Sequence, residues 1–251
     1  MRAAKPLNLI TPVSHESVPA VSRDRVVIVT ARDEADRIAE TIEALRAALP
    51  GARIVLADSG SRDATTSLAR RAGAEVVPTS AARRGKGRSA TTAARAALSR
   101  PGAERGTFLL ADGDLGATAG GLAALVEAVE AGECDLAVAA FSRRVGGGFG
   151  FAVGFARWAI RDLTGIETRA PISGQRAMTG DSLARLLPFA DGFGMETGMT
   201  IDAARAGLRL EEIEIDLDHR ATTRSLAGFA HRGRQLLAFV RVYLARRLRS
   251  R

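Results

Sequence analysis

The chain has 251 residues, of which 46% are hydrophobic and 25% charged, an ordinary balance for a protein that buries its own core. Its length fits one α/β domain with an appended segment. The single cysteine, Cys134, excludes an internal disulfide framework and fits a reducing compartment, where it reads as a passive buried thiol. The net charge of +8 suggests an anionic partner: a nucleotide, a phosphorylated acceptor, a nucleic acid or an anionic membrane surface. The aromatic content of 4% is thin for stacking on single-stranded bases, so no nucleic-acid partner is expected.

Residues 1–24 carry Pro6, Pro12 and Pro19 and no sustained apolar stretch. A mobile leader is expected there, without the apolar core of a signal peptide. Val26 to Thr30 is a β-branched run and reads as the first strand, ending at Ala31-Arg32-Asp33-Glu34. Ile38, Ile42, Leu45 and Leu49 then recur at helical spacing up to Pro50-Gly51. Ile54 to Ala57 is the second strand and ends at Asp58; a turn at Ser59-Gly60-Ser61 leads into a helix that stops at Gly73. Glu75 to Val77 is a short third strand. The loop Arg83 to Arg88 enters an alanine-rich helix to about Leu98, and Thr107 to Ala111 is the next strand. A helix over Thr118–Ala131 and a strand over Leu136–Phe141 come next.

The second half is less regular. Arg143 to Gly150 reads as a mobile loop, Phe151 to Leu163 as a helix with Trp158 as a packing residue, and Pro171 to Arg176 as a short extended piece. Gly192-Phe193-Gly194-Met195-Glu196 opens a helix to Ala206, and Leu208 to Leu217 alternates as a strand. Leu226 to Arg249 is a helix with Phe229, Leu236, Phe239 or Val240, and Tyr243 on one side and arginines on the other. No stretch reaches the roughly 18 uninterrupted apolar residues of a membrane span, and a cytoplasmic protein is expected. Alternating strands and helices predict a mainly parallel sheet with helices on both faces.

The chemistry-bearing residues gather where strands end. Phe108 to Ala111 runs into Asp112-Gly113-Asp114, two carboxylates with one glycine between them. Converging carboxylates suit a hard cation, and the carboxyl edge of an open α/β sheet is where ligands bind. Asp58 ends a strand on the same edge and can accept from a base N–H or a ribose hydroxyl; it can equally cap its own turn. Glu34 can reach the same ligand or simply favour a helix start. Gly85-Lys86-Gly87 places one of only two lysines on a loop near a helix start, which suits a phosphate, although the glycine-to-lysine spacing of a P-loop is missing. His219 is a third metal ligand or a structural histidine. Glu196 is a general base, a sugar-hydroxyl acceptor or a first-turn helix glutamate.

Val26 to Glu34, Ala57-Asp58-Ser59-Gly60-Ser61-Arg62-Asp63-Ala64-Thr65, Arg84-Gly85-Lys86-Gly87 and Ala111-Asp112-Gly113-Asp114 resemble, in order and spacing, the motifs of family-2-type nucleotide-sugar glycosyltransferases. Gly192 to Glu196 with Asp218-His219-Arg220 is most similar to the glucosyl-3-phosphoglycerate synthases, with dolichyl- and polyprenyl-phosphate sugar transferases as other near relatives. The resemblance implies a GT-A fold (Rossmann-like, α/β) over residues 25–220, with a basic amphipathic helix over 221–251 after it. It implies that Ala31, Glu34 and Asp58 hold the nucleoside, with Thr30, Arg32, Ser59, Gly85 and Gly113 alongside, and that Lys86 lies near the diphosphate or acceptor. It implies Mg2+ or Mn2+ on Asp112 and Asp114, with His219 as the third ligand. Gly174, Gln175 and Arg176 fall in the acceptor or donor-sugar region.

The activity implied by the resemblance is a metal-dependent transfer from a nucleotide sugar, UDP favoured over GDP, to a small phosphorylated or polyprenyl-phosphate acceptor. Asp114 and Glu196 are the catalytic candidates: Glu196 is the base if the anomeric centre inverts and holds the sugar if it is retained. Monomer and homodimer are both open. A sugar-nucleotidyltransferase would carry a glycine-rich Arg/Lys loop after its first strand, where this chain has Ala31-Arg32-Asp33-Glu34. A non-enzymatic alternative binds nucleic acid or membrane through the arginine-rich C-terminal helix, which could also seat the enzyme at the inner face of a membrane.

Overall fold

The structure, a computed structural model, describes residues 5–6, 9–10, 24–77, 85–141, 150–217 and 226–248. His219, the Arg83-Arg84 part of the basic loop, the glycine-rich segment 142–149 and the side chain of Phe229 lie outside what is described. The first half runs β1 (Lys5–Pro6), β2 (Leu9–Ile10), β3 (Arg25–Ala31), α1 (Ile38–Ala48), β4 (Arg53–Asp58), α2 (Thr65–Arg71), β5 (Glu75–Val77), α3 (Lys86–Leu98) and β6 (Thr107–Asp112). It continues with α4 (Ala123–Glu130), β7 (Leu136–Phe141), α5 (Gly150–Thr164), β8 (Ile166–Glu167), β9 (Arg176–Thr179), α6 (Gly180–Leu186), α7 (Met195–Arg205), β10 (Leu210–Ile215) and α8 (Leu226–Leu248).

Among the described residues the main sheet has the order β2-β10-β7-β9-β6-β3-β4-β5: seven strands of three residues or more, with the two-residue β2 at one edge. All pairings are parallel except those of β9, which runs antiparallel between β6 and β7. The expected helix over Thr118–Ala131 divides into a 3-10 helix, Gly116–Leu122, and α4. The expected extended piece Pro171 to Arg176 precedes the strand instead of forming it: β9 starts at Arg176. The expected mobile leader contributes two paired pieces, Lys5–Pro6 beside Ile166–Glu167 and Leu9–Ile10 beside Glu212–Ile213. The cause is tertiary: both pieces meet open strand edges that no local signal reveals.

A parallel strand covered on both faces is apolar throughout, and its alternate residues feed two cores. Val27, Val29 and Ala31 of β3 join Leu109 and Ala111 of β6 under α1 and α4. Val26 and Ile28 join Phe108 and Leu110 under α3, α6 and α7. Each such Leu, Ile or Phe, buried in full, contributes about 1.5–3 kcal/mol. Cys134 is buried in the first core, and burial pushes its thiol up to about 12, so it stays a neutral packing group. The period of two also sorts the polar residues. Thr30, Asp112 and Arg176 share the strand face of Ile28, Leu110 and Met178, which is the face covered by α3 and α7.

Helix α8 packs on α5 and α7. Phe239 meets Ala152 and Ala156, and Val242 meets Ile160 and Ile201. A side chain at Gly194 would come within 2.3 Å of Val242 Cγ2, so a glycine there lets α8 close over the start of α7. Arg246, buried on this face, pairs through Nε with Asp202 at 2.8 Å. The inward face is therefore Phe239, Val242, Tyr243 and Arg246. Leu236 is 38% exposed, which corrects its expected place on the buried side.

Candidate active site at the sheet edge

Strands β3, β4 and β5 step outward in one direction, and the chain then returns to place β6 on the other side of β3. That reversal makes the β3/β6 boundary the topological switch point, where an open α/β sheet leaves a crevice at its carboxyl edge. The register brings Thr30 opposite Asp112 and Ala31 opposite Asp58. The three polar clusters expected on one edge are together there.

Lys86 is the centre of the arrangement. It is the first residue of α3, and its ammonium lies 2.7 Å from Asp112 Oδ1 and 2.8 Å from Glu196 Oε1. Burial alone would push that ammonium down, but the facing carboxylates of Asp112 and Glu196 outweigh it and hold the group above the usual lysine range. Asp112 also accepts from Thr30 Oγ1 at 2.9 Å and from Gln175 Nε2 at 2.8 Å. Gly174 sits where a Cβ would approach Asp112 Oδ2 and Lys86 Nζ, each to 2.7 Å, so any side chain there would have to push this ion pair aside. At the start of α3, a Cβ on Gly87 would overlap the carbonyl oxygen of Ala190 at 1.9 Å, and its absence lets the helix reach the crevice. Gly85, at φ 115°, precedes the helix in a conformation that favours glycine.

The loops after β3 and β4 are tied together. Asp33, at φ 55°, donates its backbone N–H to the Ser61 hydroxyl at 3.0 Å, and its carboxylate accepts from Arg62 N–H at 2.7 Å. Thr65 Oγ1 accepts from Glu34 N–H at 2.8 Å, which sets the entry to α1 and keeps Glu34 half-buried beside the crevice. Asp58 accepts from Gly60 N–H at 3.0 Å and from the Ser61 hydroxyl at 2.5 Å, so in this structure it shapes its own turn. The Ser59 and Ser89 hydroxyls meet at 2.8 Å and join that turn to α3. Arg32 is exposed and faces Asp33 at 3.7 Å, away from the aspartate pair.

The Asp112-Gly113-Asp114 turn is held by a residue that no sequence motif singles out. Thr41, fully buried in α1, donates to Gly113 O at 2.9 Å and accepts from Gly116 N–H at 2.8 Å. Arg37 Nη1 donates to Asp114 O at 3.2 Å. The only signal for Thr41 is faint, a hydroxyl on the apolar stripe of a helix. Two carboxylates on one clamped turn fit a hard cation whose remaining ligands are oxygens of a diphosphate. Among the described residues no group of three His, Cys, Asp or Glu side chains is arranged to hold a metal ion by itself.

Arg176 departs from expectation. Instead of lining the acceptor region it is fully buried beneath the crevice, because its parity on β9 turns it under α7. Nε donates to Ser173 O at 2.8 Å and Nη1 to Thr200 Oγ1 at 2.9 Å, while Nη2 is buried with no partner among the described residues. Burial pulls the guanidinium down to about 10, against the opposing charges of Glu196 and Glu212. Arg176 therefore joins the loop that carries Gln175 to the helix that carries Glu196. Glu212 of β10, also buried, accepts from the N–H groups of Arg169 (2.9 Å) and Ala170 (3.0 Å) and from the Thr168 hydroxyl, and so fixes the same loop from below. Ser173, Thr200 and Glu212 are supports that no motif announces.

Of the expected residues, the crevice brings together Thr30, Ala31, Asp58, Ser59, Gly85, Lys86, Asp112, Gly113, Gly174, Gln175 and Glu196, with Glu34 and Asp114 at its margin. The arrangement is a carboxylate-rich edge, with one ammonium, two aspartates on a clamped turn and a nearly buried glutamate.

Comparison with known proteins gives a consistent picture. The family model described as "Glycosyl transferase family 2" matches residues 26–173. No curated protein matches. Among solved structures, glucosyl-3-phosphoglycerate synthase from Mycobacterium tuberculosis in complex with phosphoglyceric acid is similar at 25% identity and a TM-score of 0.76, over 96% of this chain and 87% of that one. The same enzyme with Mn2+, UDP-glucose and phosphoglyceric acid is similar at 26% identity and a TM-score of 0.74, over 96% and 88% of the two chains. Its complex with Mn2+, UDP-glucose and glycerol 3-phosphate gives 25% identity and a TM-score of 0.74, over 94% and 87%.

Proposed function

The chain belongs to glycosyl transferase family 2, and from that membership we propose that it transfers the sugar of a uridine diphosphate sugar, glucose first among them, to a small phosphorylated acceptor of the phosphoglycerate kind. The observation that carries this proposal is the Lys86 ammonium set between Asp112 and Glu196 at the switch point. A cationic group at the carboxyl edge of the sheet is placed to meet a diphosphate. The donor and acceptor classes are supported by the likeness to a synthase solved with UDP-glucose, Mn2+ and phosphoglyceric acid.

In this proposal Asp58, Glu34 and the Ala31 backbone hold the nucleoside, and Asp112 and Asp114 are the residues that would hold Mg2+ or Mn2+. A bound cation offsets the charge that grows on the departing nucleoside diphosphate. The bond from the anomeric carbon to the diphosphate oxygen breaks, and the diphosphate keeps the electron pair. The bond from the acceptor oxygen to the anomeric carbon forms, and the acceptor proton passes to an oxygen of the departing diphosphate. Glu196 is nearly buried and already paired with the Lys86 ammonium, an arrangement suited to receiving a sugar hydroxyl. It holds the sugar, and Lys86 and Gln175 hold Asp112 in place.

Calorimetry with UDP and GDP, with and without Mn2+, tests the donor; UDP-glucose with 3-phosphoglycerate tests the transfer. The expected result is Mn2+-dependent binding of UDP, weaker binding of GDP, and a phosphorylated glucoside as product. Asp112→Asn should lower UDP affinity at least about tenfold. An Asp112→Asn enzyme with full turnover, or a chain that binds neither nucleotide, would overturn the proposal.

A further inference from the structure

The excess positive charge of this protein is confined to its end. Nine arginines and no Asp or Glu come after Asp218, so of 36 basic and 28 acidic residues the part up to Asp218 holds 27 and 28. Within that end, α8 has a second face opposite the one packed on α5 and α7. Leu237, Leu244 and Leu248 are 58%, 50% and 72% exposed. At roughly 100° per residue they fall within about 40° of one another, on a ridge about 17 Å long. Arg241 and Arg247, both exposed, flank the ridge. Two further exposed apolar side chains stand on α5: Trp158 at 48%, in tilted contact with Tyr243 at 4.9 Å, and Phe151 at 94%. No helix among the described residues is long and apolar enough to cross a membrane.

We infer that this face is a docking surface for an anionic phospholipid bilayer. An apolar ridge between arginines is the pattern of a helix lying in the membrane interface, with its leucines among the acyl chains and its arginines at the phosphates. A second copy of the chain fits less well. Two-fold pairing of this face would set the arginine-rich end of one molecule against that of the other, with no carboxylate on α8 to offset it. The inference stands apart from the sugar-transfer proposal, since none of these residues lies at the crevice.

The test is flotation of the full chain with vesicles of phosphatidylcholine alone and of phosphatidylcholine with about one third phosphatidylglycerol. The chain should float with the anionic vesicles only. The triple variant Leu237→Ser/Leu244→Ser/Leu248→Ser should lower that partition at least about tenfold. Its thermal midpoint should change little, because all three leucines are at least half exposed. Arg241→Glu should weaken binding at low salt, and the difference should fade at high salt. Failure of the unaltered chain to float with anionic vesicles would overturn the inference, as would normal flotation of the triple variant. A solution dimer that the triple variant splits, with no vesicle binding by either, would assign the ridge to a second copy.

Discussion

Lys86 and Arg176 are two cations that serve different ends. Lys86 stands at the crevice mouth between two carboxylates; Arg176 lies beneath it with one nitrogen that has no partner among the described residues. Replacing Arg176 by Met removes the link between Ser173 and Thr200, leaves Glu212 without this buried counter-charge and leaves Glu196 with Lys86 alone. We expect a loss of about 3–5 kcal/mol in urea unfolding, and a fall in kcat that exceeds any change in nucleotide affinity. Lys86 also makes a prediction in pH. Its folded pKa is raised, so its contribution to stability is complete below the unfolded value of 10.5 and is lost as pH rises through the folded one. The difference in unfolding free energy between the chain and Lys86→Met should stay level up to about pH 10 and shrink above it.

At the scale of elements, the crevice is built from turns that neighbouring helices clamp. The aspartate turn after β6 is held by Thr41 of α1, and the turn after β4 by Ser89 of α3. Thr41→Val keeps the shape of the side chain but leaves the buried Gly113 carbonyl and Gly116 N–H without their bonds. The expected cost is about 2–4 kcal/mol, with a weaker response of nucleotide binding to Mn2+; Thr41→Ser should recover both. Parity along the strands explains why such supports are hard to foresee. Asp112 ends an apolar strand and declares itself. Arg176 opens a strand whose neighbours, β6 and β7, come from distant parts of the chain, and only that pairing decides that its side chain points under α7.

For the whole molecule, the division of charge matters more than the total. A net +8 suggests a generally basic protein, whereas the body of the chain is close to neutral and the excess lies beyond Asp218. The body carries the crevice and the C-terminal helix carries the charge. The two meet where Val242 and Arg246 of α8 sit against Gly194 and Asp202. Family membership removes the nucleotidyltransferase alternative and leaves the basic helix as an addition to an enzyme.

The alternation of strands and helices, the parallel sheet and the edge carrying Asp58, Asp112 and Lys86 were legible in the sequence. Doubly covered strands must be apolar along their length, and the polar residues that end them stand out against that background. The tertiary structure decided what depends on distant pairing. It set β9 antiparallel between β6 and β7, drew two pieces of the leader onto open strand edges, and brought Glu196 to Lys86 across 110 residues. It also turned Arg176 inward and left Leu237, Leu244 and Leu248 of α8 facing out. A helix with apolar residues around much of its circumference has no preferred inner face of its own; Gly194 at the start of α7 and the small residues of α5 chose it.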